Sequence, residues 1–374
     1  MKIGFFGGTF APAHNGHVNM LLSAIRQLNL DKVIVMPNGI PPHKYCAMDK
    51  ADRFNVAKLA FDGIEKVEVS DYELNKDGAS YSYQTLEYLN TLYPDDDLFF
   101  IMGGDSLRDF PLWVKPERIA QLATLVVATR DGSVDKDSLS AVRKAFGARV
   151  VFLDFQPIAV SSTDVRTRYR LGMDNGGNVP EKVNEYVLAK GIFKDFADKV
   201  EKLRTLLEEK RFAHTVSVVY AGIDFAKRNG VTEEDAFLGC LLHDCGKNIP
   251  QEDWGKYGFS NNEGLLPPIV HCALGVEVAK KEFSVTDQRI LDAIRFHTTA
   301  KPGMSQLEKL VFVADKAEKN RKYDVTRYYN TALVDLNKAF EYVLYDMYLI
   351  AVGKYGIERV DKMTLSALKY YKLI

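Results

Sequence analysis

The chain has 374 residues, too many for one average domain of about 100–200, so two domains are expected. Hydrophobic residues make up 47% and charged residues 26%, an ordinary composition for a soluble globular protein. The net charge of −1 excludes a global basic field for nucleic acid or an anionic membrane.

The opening MKIGFFGGTF has too short an apolar run for a secretory signal, and no stretch reaches the roughly 18–20 apolar residues of a membrane span. A cytoplasmic chain is expected. Roughly the first 190 residues alternate short apolar runs with amphipathic stretches. Ile3–Phe6, Lys32–Met36, Val67–Val69, Leu98–Met102, Thr124–Ala128 and Val150–Phe155 read as buried strands. Between them, Val18, Leu21, Leu22, Ile25 and Leu28 share a 3.6-residue period, and Tyr83–Leu92 and Leu139–Phe146 are helical patterns. The alternation predicts an α/β fold with a doubly wound parallel sheet, whose ligands lie outside the carboxyl ends of its strands.

Past Gly191-Ile192-Phe193 the strand signals stop. Helical patterns follow at Lys199–Lys210, His214–Asn229, Glu233–His243, Ile269–Glu282, Thr286–Phe296, Ser305–Ala317, Thr326–Lys354 and Lys362–Tyr370. A loop rich in Gly, Pro and Asn covers Asn248–Pro268. The second half therefore reads as all-α, giving domains 1–195 and 196–374 with almost no linker. No internal repeat or low-complexity segment is evident. Cys46, Cys240, Cys245 and Cys272 form no C-x-x-C pair, so free thiols packed in helices are expected. The composition is compatible with a homo-oligomer.

Two clusters carry chemistry. In the first, Gly7, Gly8, Thr9 and Phe10 follow a strand and precede a helix starting near Gly16. Glycines there let backbone N–H groups approach a phosphate, and the helix adds its positive end. His14 and His17 flank the turn into that helix, and each can donate to phosphate oxygens. As zinc ligands they would need further partners, and no Cys or carboxylate lies nearby in sequence. The second cluster takes four of the seven histidines, His214, His243, His271 and His297. Asp244 adjoins His243 in LLHDCGKNIP, and Asp315 sits in LVFVADKAEK. A carboxylate in an apolar run wants a cation, and neutral imidazoles with carboxylates suit iron, manganese or zinc.

H-x-G-H after a Gly-rich first strand resembles the nucleotidylyltransferase superfamily, a Rossmann-like fold, and VSSTDVR (Val160 to Arg166) is similar to its second signature. PPHK (Pro41 to Lys44), SYSYQTL (Ser80 to Leu86) and FIMGGDSLRDFPLWVKPERI (Phe100 to Ile119) resemble the bacterial nicotinate-mononucleotide adenylyltransferases. The resemblance covers about residues 1–193. It implies joining nicotinate mononucleotide to the adenylyl group of ATP with release of pyrophosphate, in NAD biosynthesis. It also implies Mg²⁺ on the leaving group and His14, His17, Lys44 and Arg166 as positive donors. Gly7, Gly8, Thr9, Phe10, Gly103, Asp105, Ser161, Ser162 and Thr163 would lie at ATP, with Arg130 around its sugar and base. Tyr83, Thr85 and Trp113 would lie at the nicotinate, where an aromatic ring can stack. His43 would merely neighbour Lys44. One departure from the family pattern stands out: Ala11 and Ala13 replace an acidic and a larger apolar residue.

The order H…HD…H…H…D resembles the HD-domain phosphohydrolases, and HTTAKPGMSQLEKLVFVADKAEKNR (His297 to Arg321) looks like their symmetrical diadenosine-tetraphosphate hydrolase branch, over about residues 197–374. This implies metal-dependent cleavage of diadenosine tetraphosphate to two ADP. Two divalent metals would share Asp244, with His214, His243 and Asp315 on one and His271 and His297 on the other. Iron comes first by resemblance, manganese or zinc after it. Lys247 would hold the scissile phosphate, and Arg321 the outer phosphates. The alternatives are a rear half that senses metal and nucleotide without turnover or cleaves a different nucleotide, and a front half that takes nicotinamide mononucleotide or phosphopantetheine.

Overall fold

The computed structural model describes all residues except 41–45, 130–135, 155 and 263. The chain divides into two compact units, Met1–Asp195 and Phe196–Ile374.

The first unit holds a six-stranded parallel sheet. Its strands are β1 (Lys2–Gly8), β2 (Lys32–Pro37), β3 (Val67–Val69), β4 (Asp97–Gly103), β5 (Ala123–Ala128) and β6 (Val150–Leu153), ordered β3-β2-β1-β4-β5-β6. Around it lie α1 (Asn15–Leu28), α2 (Lys50–Phe61), α3 (Ser82–Leu92), α4 (Gly104–Asp109), α5 (Pro116–Leu122), α6 (Lys136–Phe146), α7 (Ser162–Arg170) and α8 (Glu181–Lys190). Alternate strand residues feed two cores. Phe6, Val33, Val35, Ile101 and Val126 join residues of α1, α2 and α8, while Phe5, Ile34, Met36, Phe100 and Leu125 join residues of α3, α5 and α6. A strand buried on both faces is apolar at every position, which is why these strands read as continuous runs.

All six expected strands form. Helices α2, α4, α5, α7 and α8 were not evident from periodicity. Helix α2 shows why: its buried face includes Asp52 and Arg53, so no clean apolar stripe exists. The strand order reverses between β1 and β4, which are paired neighbours, and this places the Gly7-Gly8 end of β1 beside the Gly103 end of β4. A crevice at such a switch point is where open parallel sheets bind ligands.

The second unit is all helical: α9 (Ala197–Leu206), α10 (Glu209–Ala226), α11 (Glu233–Leu242), α12 (Pro267–Phe283), α13 (Gln288–Phe296), α14 (Gln306–Ala317), α15 (Thr326–Ala332), α16 (Leu336–Tyr355) and α17 (Lys362–Tyr370). The helical pattern over Thr326–Lys354 is two helices rather than one. Asp335 caps the second, and Asn229 from another part of the chain staples the break. Its amide donates to Ala332 O at 2.9 Å, and its Oδ1 accepts from Leu336 N at 3.1 Å. Asn229→Ala strands both backbone groups and is expected to cost about 1–3 kcal/mol, seen as a lower midpoint for this unit's own transition in scanning calorimetry. An unchanged midpoint would show that the junction is held otherwise. The expected loop over 248–268 contains a short 3₁₀ stretch, Gln251–Tyr257. Among the described residues, no helix is long and apolar enough to cross a membrane.

Candidate active sites

The N-terminus of α1 is built from the two histidines. His14 is the N-cap residue, and the His17 N–H donates to His14 Nδ1 at 3.3 Å. In return the His14 N–H donates to His17 Nδ1 at 3.2 Å. The imidazoles thus replace the Ser and Glu of an ordinary capping box. They stack at 3.6 Å between centroids. Because each Nδ1 accepts a backbone N–H, the ring proton resides on Nε2, so each ring offers an N–H donor at the positive end of a helix. Gly16 permits this stack: a Cβ there would lie 3.0 Å from the His14 ring and 3.2 Å from Val160.

The second front motif closes on the first. Ser161 caps α7 through Asp164 N at 3.1 Å. Ser162 Oγ donates to Pro12 O at 3.0 Å, and Arg166 donates to Ala11 O at 2.7 Å and to Thr163 Oγ1 at 3.1 Å. Arg166 therefore reaches the loop between the glycines and the histidines. Ala11 and Ala13 are both buried, so the loop is held there through its backbone rather than by an acidic side chain. Phe10 has φ 48° and a buried ring against Phe6, Phe61 and His17, leaving its backbone as the part available to a ligand. Thr9 lies half-buried beside it.

Tyr83 on α3 and Trp113, just past α4, both pack at the edge of the core on the β4 side, and Lys115 lies over the Tyr83 ring at 4.5 Å. Thr85 is fully buried, and its hydroxyl donates to Glu73 at 2.7 Å, so its side chain serves the interior. Asp105 is exposed and paired with Arg108. Lys44, His43 and Arg130 lie outside the described residues.

Two buried polar residues around this crevice were not anticipated. Arg53 donates to Gly39 O at 2.8 Å, to Asn38 O, and to Thr9 O at 3.4 Å, tying the end of β1 to the turn after β2. Burial raises Glu73 above its ordinary value, and the hydrogen bonds from Thr85 and Ser80 only partly offset this. A carboxyl raised in the folded state contributes stability below the ordinary glutamate range and loses it as pH rises through the raised value. Glu73→Gln cannot ionise, so its melting temperature is expected to gain on the parent across that window. Parallel pH profiles would contradict this.

The rear cluster converges from five elements. His214 comes from α10, His243 and Asp244 from the end of α11 and the turn after it, His271 from α12, His297 from the end of α13, and Asp315 from α14. Gly246 lets that turn approach α12, since a Cβ there would lie 2.7 Å from Gly275 N and 2.8 Å from His271 O.

Asp244 sits at the centre. Its Oδ1 is 3.1 Å from His271 Nε2 and 3.5 Å from His297 Nε2, while its Oδ2 is 3.4 Å from His243 Nε2. Asp315 Oδ1 lies 3.0 Å from His214 Nε2 and 3.9 Å from His243 Nε2. His243 Nδ1 and His297 Nδ1 each lie 2.7 Å from the carbonyl three residues earlier, where a ring N–H can donate, so each ring turns its Nε2 inward. The His243 Nε2 is fully buried and has no hydrogen-bond partner. A lone pair stranded among carboxylates is what a bound cation would satisfy, so these residues fit a divalent metal.

Burial would raise both aspartates, but the side chains around them outweigh it and hold both well below the usual carboxylate range. Around Asp244 these are the imidazoles of His243, His271 and His297, and around Asp315 the Lys316 ammonium and a hydrogen bond to His214. Lys247 Nζ lies 3.2 Å from His271 Nδ1, in a turn rather than on a helix, because α11 ends at Leu242. Arg321 donates to Asp315 Oδ1 at 2.5 Å and to Asp315 O at 2.9 Å. Residues missed from sequence are Arg211, 2.8 Å from Asp244 Oδ2, and Glu318, 3.1 Å from His214 Nδ1. Arg211 precedes His214 by three positions, one face of a helix, and that spacing was a readable signal.

Residues 5–168 match the cytidylyltransferase-like family and residues 211–320 the HD domain. A protein of Clostridium tetani named a probable nicotinate-nucleotide adenylyltransferase is 39% identical over 198 residues, 52% of this chain and 99% of its own length. A Mycoplasma genitalium protein named a probable nicotinate-nucleotide adenylyltransferase/Ap4A hydrolase is 26% identical over 328 residues, 86% of this chain and 89% of its own. A solved structure from Clostridium acetobutylicum, named a predicted HD superfamily hydrolase involved in NAD metabolism, is 30% identical, with a TM-score of 0.41 over 46% of this chain and 94% of that one.

Proposed function

The chain belongs to the nicotinate-nucleotide adenylyltransferase family through its front half and carries an HD domain behind it, and on that premise we propose that it is a cytoplasmic bifunctional enzyme. The front unit converts nicotinate mononucleotide and ATP to nicotinate adenine dinucleotide and pyrophosphate. The rear unit hydrolyses diadenosine tetraphosphate to two ADP. The observation that carries the pairing is the 328-residue likeness to a protein named for both activities.

In the front reaction, a phosphate oxygen of the mononucleotide attacks the α-phosphorus of ATP, and the bond to pyrophosphate breaks. That phosphate is already ionised near pH 7, so the protein supplies alignment and charge rather than a base. The Nε2 groups of His14 and His17 and the Arg166 guanidinium would meet the charge that develops on the phosphates, with Lys44 proposed as a further positive donor from its motif alone. The glycines at the ends of β1 and β4 and the Ser161–Thr163 helix start line the ATP side. Tyr83 and Trp113 flank the nicotinate ring. A divalent cation, Mg²⁺, neutralises the leaving pyrophosphate when bound.

In the rear reaction, water adds to one of the two central phosphorus atoms, and the central bridging P–O bond breaks. His214, His243 and Asp315 would hold one divalent metal and His271 and His297 the other, with Asp244 the carboxylate they would share. Such metals, iron first and manganese or zinc next, lower the pKa of water and polarise phosphate oxygens when bound. Arg211 orients Asp244, and Glu318 orients His214. Lys247 neutralises the scissile phosphate.

Product analysis on the full chain tests this reading. Nicotinate mononucleotide is expected to turn over well ahead of nicotinamide mononucleotide. ADP is expected from diadenosine tetraphosphate when Fe²⁺ or Mn²⁺ is supplied. No ADP under those conditions would make the rear unit a sensing module or the hydrolase of another nucleotide.

A further inference from the structure

The two proposed metal positions differ in chemistry. Beside Asp244 and Asp315, the His214–His243 side offers imidazole nitrogen and carboxylate oxygen. The His271–His297 side adds sulfur. Cys272 follows His271 on α12 and is fully buried, with its Sγ 3.5 Å from His271 Nε2 and 3.9 Å from His297 Nε2. The His271 and His297 nitrogens are 3.3 Å apart and lie 3.1 and 3.5 Å from Asp244 Oδ1. The donor atoms of His271, Cys272 and His297 all lie within 4.8 Å of one another.

The other buried thiols are placed differently. Cys245 Sγ donates to Gly275 O at 3.2 Å, and Cys240 Sγ occupies the space that a Cβ on Gly222 would fill. The Thr298 hydroxyl lies 3.3 Å from Cys272 Sγ, where it can donate to a thiolate.

We propose that Cys272 is a ligand of the second metal, which then binds in a two-imidazole, one-thiolate, one-carboxylate set. The inference rests on the metal centre assigned above and adds a residue to it. Two imidazoles, a thiolate and a carboxylate oxygen are the donor types of a tetrahedral zinc-like site. A thiolate shifts such a site toward softer ions and away from manganese. Binding displaces the thiol proton to solvent, because a coordinating thiol is deprotonated.

The test uses the full chain, stripped of metal and loaded with Co²⁺, and reads absorption spectra. The parent is expected to show visible d–d bands and a near-ultraviolet thiolate-to-cobalt charge-transfer band. Cys272→Ser retains the other three thiols and is expected to lose only the charge-transfer band, while Cys272→Ala controls for weak binding through the serine oxygen. In competition, the serine variant is expected to shift its preference from Zn²⁺ toward Mn²⁺. Cobalt bound with d–d bands but no charge-transfer band in the parent overturns Cys272 as a ligand and leaves the metal centre standing. A charge-transfer band that survives in both variants overturns it as well. A parent chain that binds no cobalt overturns the metal centre and this inference with it.

Discussion

Asp244→Asn is expected to empty the rear centre and lower diadenosine-tetraphosphate hydrolysis by at least about 10³-fold, the equivalent of about 4 kcal/mol of lost charge stabilisation. No other residue in the cluster serves both sides: one carboxylate oxygen faces His271 and His297, the other His243. Asparagine keeps the volume but presents one neutral oxygen and an amide that cannot ligate. Metal content of the purified chain should fall together with activity. Adenylyl transfer should be unchanged, because no residue proposed for it belongs to the rear unit. Hydrolysis retained at parental rate with metal still bound would show that Asp244 is not the shared ligand. His214→Ala and His271→Ala then divide the loss, each removing a ligand from one side only.

His17→Ala is expected to lower kcat for adenylyl transfer by about 10²–10³-fold, the usual effect of removing one preorganised donor to developing charge. The KM for nicotinate mononucleotide should move much less, since a donor that acts mainly in the transition state lowers kcat and kcat/KM together. The substitution also removes half of the imidazole capping box. A cap is worth about 0.5–2 kcal/mol, so melting temperature must be measured beside the rate. His17→Gln separates the effects, because glutamine at this position can reach back to the N-cap N–H. It should recover the melting temperature more fully than the rate. Parental kcat in His17→Ala would remove His17 from the phosphate-binding machinery.

Much of the sheet was legible because strands buried on both faces leave long apolar runs, as at Ile3–Phe6 and Thr124–Ala128. Elements that depend on partners elsewhere in the chain were not. The break at Leu333–Asp335 leaves the helical periodicity intact and is fixed by Asn229, far away in sequence. Helix α2 conceals its face because Arg53 is spent inside, on the carbonyls of Thr9, Asn38 and Gly39. The start of α1 carries no Ser, Asp or Asn at its N-cap, since His14 does that work.

The sites divide in the same way. Histidines and motif aspartates stand out in a chain with only seven His. Residues that act through them do not: Arg211, on α10, and Glu318, just past the end of α14, are ordinary charges in the sequence until Asp244 and His214 are placed beside them. Cys272 reads as one more buried thiol, and only the fold brings its sulfur to His297. Thr85 shows the converse. Its place in SYSYQTL points to the nicotinate, yet its hydroxyl faces the buried Glu73.

A chain that carries two independent phosphate-transfer sites makes two separate sets of products. The most direct test chromatographs the products made by a single preparation of the full chain in two parallel reactions. One contains nicotinate mononucleotide, ATP and Mg²⁺, and the other diadenosine tetraphosphate with Fe²⁺. The expected result is nicotinate adenine dinucleotide with pyrophosphate in the first and ADP alone in the second. Dinucleotide absent from the first reaction, or tetraphosphate left intact in the second, would contradict it.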